Sequence, residues 1–498
     1  MSKIKEIFKD KQLYWFGIIT LVFFGIFILM QYAPDTYFVF SSTTDKVIQQ
    51  FFSCGRFVTG VAAGIFKGSL NLKPIWIYNI SYTFAIICTI ASLYALYKLV
   101  NKDIKNKTLC VILSTLIIIN IFSFELFVYI EKGIMMFSVL MCILAVEQVD
   151  KLLQSIKWKH FIWSILYMLV ATCSYQGTVG IFVAISLIYI LKYSKTIKEF
   201  LLNNLKVALI YGIPAIINFV LVRFTSSNSR VEGNIVLSES VAKIIQGIKD
   251  LMINSYELFP KYAFILAILA VILFAIYKLV RNKTTLARER PAVRNEKLIK
   301  GLALIYILAG TLFATVAPQI LQNTDSIWFV ARSSYPMASV IGILLIYILS
   351  NFEGNNIEKN IIIITSCIYM IIQLICFTTF AINGYIVNYQ DKQQADQIIN
   401  LINQYEERTG NQVTKIAFYQ DKYTSYVYPD IKAYGDINIR AFSKDWVAIS
   451  IINYYSGRQL EMVEADEELK QNLKEKDWQE FSQEQIILEN DTINICLY

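Results

Sequence analysis

The chain has 498 residues, 56% of them hydrophobic and 17% charged, with a mean hydropathy of +0.48. A soluble domain carries about 25% charged residues, so these values exclude a wholly soluble protein and predict a polytopic α-helical membrane protein. The net charge of +8 is unevenly held: residues 391–498 carry 19 acidic and 11 basic side chains, which leaves +16 for the rest. A basic membrane part joined to an acidic soluble tail fits the positive-inside rule if the tail lies outside the cell.

In chain order, Lys3, Lys5, Lys9 and Lys11 precede a first apolar run, Leu13 to Met30, with no small-x-small cleavage pattern after it. This predicts an uncleaved first span with the N-terminus in the cytoplasm. Ten further apolar runs follow: Ile75–Leu99, Thr108–Phe124, Gly133–Val149, Phe161–Ser174, Thr178–Leu191, Leu201–Val222, Tyr262–Val280, Gly301–Ala317, Tyr335–Ser350 and Ile361–Ala381. Loops that are basic or very short alternate with loops poor in Lys and Arg, so the charge parity closes on about eleven spans in the plasma membrane. The most basic loop, RNKTTLARERPAVRNEK, reads as a cytoplasmic lipid contact, not a nucleic-acid site. The outer loops are placed at 31–74, 125–132, 223–260 and 319–334, with an interfacial helix over Val241–Leu258.

Two hairpins are too short for ordinary crossings. Phe161–Leu191 gives 31 residues to two passes, where one pass needs about 20. Two short segments meeting at Tyr175-Gln176 below the outer surface are expected, and Thr108–Val149 is similarly tight around Glu125 to Lys132. Polar turns at membrane depth are tolerated only where they line a protein cavity. Past Asp391 the character changes: Asp396–Glu407 reads as an amphipathic helix, and Val413–Tyr419 and Ile493–Tyr498 read as strands. The division is a transmembrane catalytic part, 1–384, and a small extracytoplasmic α/β domain, 385–498.

The candidate chemistry lies on the outer face. Asp35 follows Pro34 directly after the first span, and Asp45 follows in the same loop. Acids held at a bilayer rim are costly and mark function, although a solvated boundary residue or helix cap would look the same. Glu125 and Glu131, six apart, flank a turn. Arg56 in CGRFVTG and Arg332 in FVARSSYP suit phosphate, for which a planar fork is the fitting donor; either one is also placed to snorkel to lipid phosphate. Tyr175 and Gln176 offer an aromatic face and an amide to a sugar. The single histidine, His160, lies on the inner side, so no histidine base serves a triad outside. No Walker or GxGxxG motif occurs, and the eight scattered cysteines contain no CxxC. Acids, arginines and aromatics suit glycosyl transfer: a carboxylate takes the proton of the attacking hydroxyl and cations hold a departing phosphate.

PDTYFVF, CGRFVTG, SFELFVYIEKGIMMFSVLM, SYQGTVGIF and VARSSYP, in that order, resemble the glucosyl transferase II family of polytopic GT-C-type bacterial glycosyltransferases, which includes O-antigen-modifying enzymes. The resemblance extends over most of the chain, including DINIRAFSKDW near the C-terminus. It implies an inverting hexosyl transfer from a polyprenyl-phosphate sugar to a cell-surface glycan, with a flippase and a donor synthase upstream. Carried over by position, Asp35, Glu125 and Glu131 take the catalytic places and Arg56, Tyr175 and Gln176 lie toward substrate; Asp45, Lys132 and Arg332 are expected on the substrate side as well. Where many members have a paired DD in the first loop, this chain has Asp35-Thr36 and then Asp45. The identity of the base is left open among the carboxylates, as is a divalent cation. Two rivals stand beside this reading, a Wzy-type polysaccharide polymerase and a polysaccharide or lipid transporter.

Overall fold

The computed structural model describes residues 10–155, 157–225, 236–281, 291–320, 324–327, 329–352, 355–420, 426–434, 437–469 and 481–497, with side chains undescribed at 281, 291–298 and 420. Lys3, Lys5, Lys9, the polar stretch 226–234, Trp328 and most of the basic run 281–297 lie outside the described residues. The helix ends follow the sequence. Asp10 caps the first helix, Lys11–Phe24, by accepting from the Gln12 N–H. Pro34 opens Pro34–Ser41 and Pro74 opens Pro74–Val100 at positions where a missing N–H is harmless.

Helices occupy all eleven stretches expected to span. Eight are long and apolar enough to cross a membrane, among them Pro74–Val100, Lys132–Ser155, Ile197–Thr225 and Asn356–Thr409. The other three, Lys107–Ile118, Trp158–Ser174 and Val340–Asn351, are shorter. The chain is therefore a mostly helical, membrane-embedded protein. Lys132–Ser155 forms the centre, packed against Pro74–Val100, Trp158–Ser174 and Gly180–Tyr193. Phe24 and Phe127 stack at 3.7 Å, and Phe377 of the last long helix closes on both Phe24 and Phe124. Apolar side chains such as Trp15, Leu21, Ile216 and Phe313 remain exposed on the rim, as lipid-facing residues do.

In each tight hairpin one arm is short, Lys107–Ile118 or Trp158–Ser174, while the other, Lys132–Ser155 or Gln176–Tyr193, is long enough to cross. The first breaks into Lys107–Ile118, Ser123–Val128 and Lys132–Ser155. The second leaves Ser174, turns through Tyr175 and a 3-10 step at Gln176–Thr178, and resumes at Gly180. The helix expected over Val241–Leu258 runs over Leu237–Asn254.

The last span and the amphipathic helix beyond it are one helix, Asn356–Thr409, started by a reciprocal Asn355–Glu358 cap and stopped by Gly410 in the left-handed region. The expected division at 384/385 falls inside it. Gly384 gives no break because it is a packing position: a Cβ there would lie 2.8 Å from Asn438 Oδ1. Beyond it lies a four-stranded sheet, ordered β2-β1-β4-β3, from Lys415–Gln420 (β1), Glu461–Met462 (β2), Ile486–Glu489 (β3) and Thr492–Leu497 (β4). β1 runs parallel to β2 and β4, while β3 and β4 form an antiparallel hairpin. Its core unites Ile416, Ile493 and Ile495 with Ile398 and Ile402 of the long helix and Val447 and Ile451 of the helix Asp445–Ser456.

Tyr37, from the first-loop helix Pro34–Ser41, belongs to that same core. Helix Asp445–Ser456 packs directly on Pro34–Ser41. Tyr454 meets Tyr32 edge-on at 5.8 Å and stacks on Phe40 at 5.8 Å, and Gln459 donates to the Ser41 carbonyl at 2.7 Å. The sheet region is thus docked on the loop after the first span.

Candidate active site

Pro34 fixes the start of its helix and places Asp35 in the first turn. The far end is held by Lys67, whose ammonium donates to the carbonyls of Val39 (2.5 Å), Phe40 (3.1 Å) and Ser42. A cation at the C-terminal carbonyls complements the helix dipole, so the short helix is pinned at both ends. Asp35 is half-buried and faces a cavity of about 1110 Å³.

Arg56 follows Gly55, which sits at φ +71°. The Gly55 carbonyl accepts from Gln176 Nε2 (2.9 Å) and Asn218 Nδ2 (2.8 Å), which ties the turn to two other helical segments. Arg56 then lies over the Tyr175 ring at 4.8 Å and donates to Glu131 Oε1 at 2.9 Å. Arg332 is held in the same way. Its guanidinium lies 4.2 Å over Tyr129, donates to the Tyr129 hydroxyl and to Glu125 Oε1 (2.5 Å), and its backbone N–H donates to Glu125 Oε2 (2.5 Å). Each arginine therefore has a carboxylate and a tyrosine face behind it, an arrangement that fixes a planar fork.

Asp35, Arg56, Tyr175, Gln176 and Arg332 all line the cavity. Glu125 and Glu131 are buried behind it and are not among the lining residues. Burial raises the Glu131 carboxyl above its ordinary range, and the Arg56 guanidinium opposes that rise. Lys132 is also buried behind the cavity; its ammonium lies 3.6 Å from the Tyr78 ring centre and makes no hydrogen bond among the described residues. Asp45 is exposed in the first turn of Thr44–Ser53, away from the cavity. Among the described residues no three His, Cys, Asp or Glu side chains come together as a metal site.

The remaining walls came from residues that the sequence reading passed over. Tyr211, Gly212, Ala215, Ile216, Phe219 and Val222 contribute one face of Ile197–Thr225, with Ala317 and Pro318 beside them. Ile216 is 65% exposed, so this wall continues onto the apolar outside of the protein. Asn218 had a signal that was available, a polar amide inside an apolar run. Lys444 and Trp446, the lysine and tryptophan that close the DINIRAFSKDW stretch, reach the cavity from the sheet region.

The cavity thus joins two carboxylates, Asp35 and the exposed Asp325, two fixed guanidiniums and an apolar wall. A family model for glucosyl transferase GtrII matches residues 23–348. The chain belongs to the glucosyl transferase GtrII family. It is a glycosyltransferase, and its membrane-embedded helices place that activity in the bilayer. Membership replaces the transporter reading. The matched span contains the first-loop helix, both arginines and their carboxylates, and it ends before the long helix and the sheet. No curated protein matches the chain. A GtrII glucosyl transferase of this build acts on a sugar donor and a glycan acceptor, and the cavity is large enough for sugar rings of both.

Proposed function

We propose that the protein moves a hexosyl group, glucosyl by family, from a polyprenyl-phosphate sugar to a cell-surface polysaccharide on the outer membrane face. In this reading the chain crosses the membrane eleven times, with the N-terminus cytoplasmic and the sheet region outside. The observation that carries the reading is the cavity itself: it is lined by Asp35, Asp325 and two arginines, and by an apolar wall that runs out along a helix with exposed apolar side chains. A polyprenyl chain needs such a wall, and nucleotide-sugar donors would need neither the wall nor an outer site.

The acceptor hydroxyl oxygen attacks the anomeric carbon from the face opposite the phosphate. Asp35 takes the hydroxyl proton as the new C–O bond forms. The bond from the anomeric carbon to the phosphate oxygen breaks, and the departing lipid phosphate keeps the electron pair. Arg332 and Arg56 hold that developing charge, and because Glu125 and Glu131 fix them beforehand, little reorganisation accompanies the step. In this scheme Glu125 and Glu131 are positioning residues and Asp35 is the base.

Asp35→Asn preserves size and removes the base, so transfer should fall by about 10²- to 10⁴-fold at normal protein level in the membrane. The check is the composition and linkage of the surface polysaccharide from a deletion strain restored with wild type or with Asp35→Asn. Loss of one side-branch sugar in the variant, with backbone length unchanged, is the expected result. A fully decorated glycan with Asp35→Asn would overturn the assignment of the base, and an unchanged glycan on deletion would overturn the function.

A further inference from the structure

The cavity has a third wall that the donor chemistry leaves unused. Lys444 and Trp446 enter it from the start of the helix Asp445–Ser456. Both lie outside the matched span 23–348. Trp446 keeps 38% of its surface exposed, although it belongs to a region with a well-filled core of its own.

This wall is held rigidly against the base. The helix that carries Trp446 packs on the helix that carries Asp35, locked by Tyr454 between Tyr32 and Phe40 and by the Gln459–Ser41 hydrogen bond. An exposed indole on the wall of the cavity that Asp35 also lines is suited to one kind of ligand surface. Pyranose rings present a patch of C–H bonds on one face, and a large aromatic plane packs on it while hydroxyls stay free for hydrogen bonds. In the proposed function the lipid lies along the apolar wall, and the donor hexose, bonded to the leaving phosphate, lies by the arginines; this leaves Trp446, on the wall from the sheet region, to the acceptor.

Resting on the function proposed above, we propose that Trp446 is the acceptor platform of this enzyme: a pyranose of the acceptor polysaccharide stacks on its indole, with Lys444 at its rim as a hydroxyl or anion donor, and this contact presents the attacking hydroxyl to Asp35. Donor handling then lies within the family-matched segment, and acceptor selection lies in the C-terminal segment beyond it.

The test uses the purified full-length protein, undecaprenyl-phosphate-glucose as donor and polysaccharide extracted from the deletion strain as acceptor. Trp446→Ala should raise the acceptor KM about tenfold and leave the donor KM in place. Trp446→Phe keeps a smaller ring and should raise the acceptor KM less, which also guards against a folding defect in the alanine variant. An acceptor KM unchanged in both variants, or a donor KM that rises in step with it, overturns the proposal. Wild-type protein that transfers nothing from this donor overturns the functional reading itself, an outcome separate from a wild type that transfers normally while Trp446 proves indifferent.

Discussion

Arg332 is a partly buried cation whose partners were invisible to periodicity. Glu125 lies 207 positions away in the chain and Glu131 lies 75 positions from Arg56, whereas sequence patterns report only neighbours a few residues apart. The sequence therefore placed acids and arginines on one face but left the roles of the acids open. Position separates them: Asp35 lines the cavity, and the two glutamates lie buried behind the arginines. Removing one member of a buried pair strands the other charge and costs about 3–5 kcal/mol. Glu125→Ala should therefore lower thermal stability in detergent by several degrees, and Glu125→Ala with Arg332→Met should regain most of it without regaining transfer. A melt of the three proteins beside a glycan assay checks this; a double variant no more stable than the single one would show that the pair is not the cause.

Helices as elements were the most legible level, because apolar runs, prolines and caps such as Asn355–Glu358 are local signals. The turn at Gly55-Arg56 shows where that legibility stops. Its glycine takes a positive φ, and a Cβ would lie 2.6 Å from Asn218 Oδ1 and 2.7 Å from Gln176 Nε2, contacts made by distant segments. Gly55→Ala strains the backbone and pushes apart the amides that aim Arg56, so transfer should fall by roughly tenfold or more, in line with about 1–3 kcal/mol for a strained non-glycine residue. Asn218→Ala on top of it removes one obstacle and should recover part of the loss in the same assay. The 54-residue helix was missed for the opposite reason. The change in composition near Asp391 imitates a boundary, yet Gly384 and its neighbours keep helical geometry because Asn438 and Gln31 pack against them.

At the scale of the whole molecule, the joint between long helix and sheet region centres on Asp391, ten residues past the apolar stretch that ends at Ala381. Its carboxylate accepts from the Tyr428 hydroxyl at 2.9 Å and the Ala441 N–H at 3.1 Å. Burial pushes its carboxyl up to about 7, against the pull of those hydrogen bonds and of Arg440, and Tyr37 and Tyr455 also face it. A raised acid is protonated in the fold at pH values where the unfolded chain has already lost its proton. The stabilisation is complete below about pH 4 and is lost as pH rises through about 7. The joint should thus tighten in mild acid. Asp391→Asn keeps the acceptor oxygen without the charge, and its resistance to proteolysis at the joint should be flat between pH 5 and 8, where wild type becomes more susceptible. Equal pH profiles for both proteins would exclude Asp391 as the source.

The docking of Tyr32 and Tyr37 on the sheet region also governs how the enzyme comes into being. Gln31 donates to the Ala381 carbonyl, Tyr32 exchanges hydrogen bonds with Asn388, and its hydroxyl meets that of Tyr454, separations of 350, 356 and 422 positions. The first loop is translated 350 to 422 residues ahead of these partners. At about 5–20 residues per second, the Asp35 helix waits on the order of tens of seconds, outside any finished surroundings, before its supports emerge. A half-made chain already inserted in the bilayer accordingly lacks an assembled acid site, and reactivity toward the lipid donor is withheld until synthesis has passed the sheet.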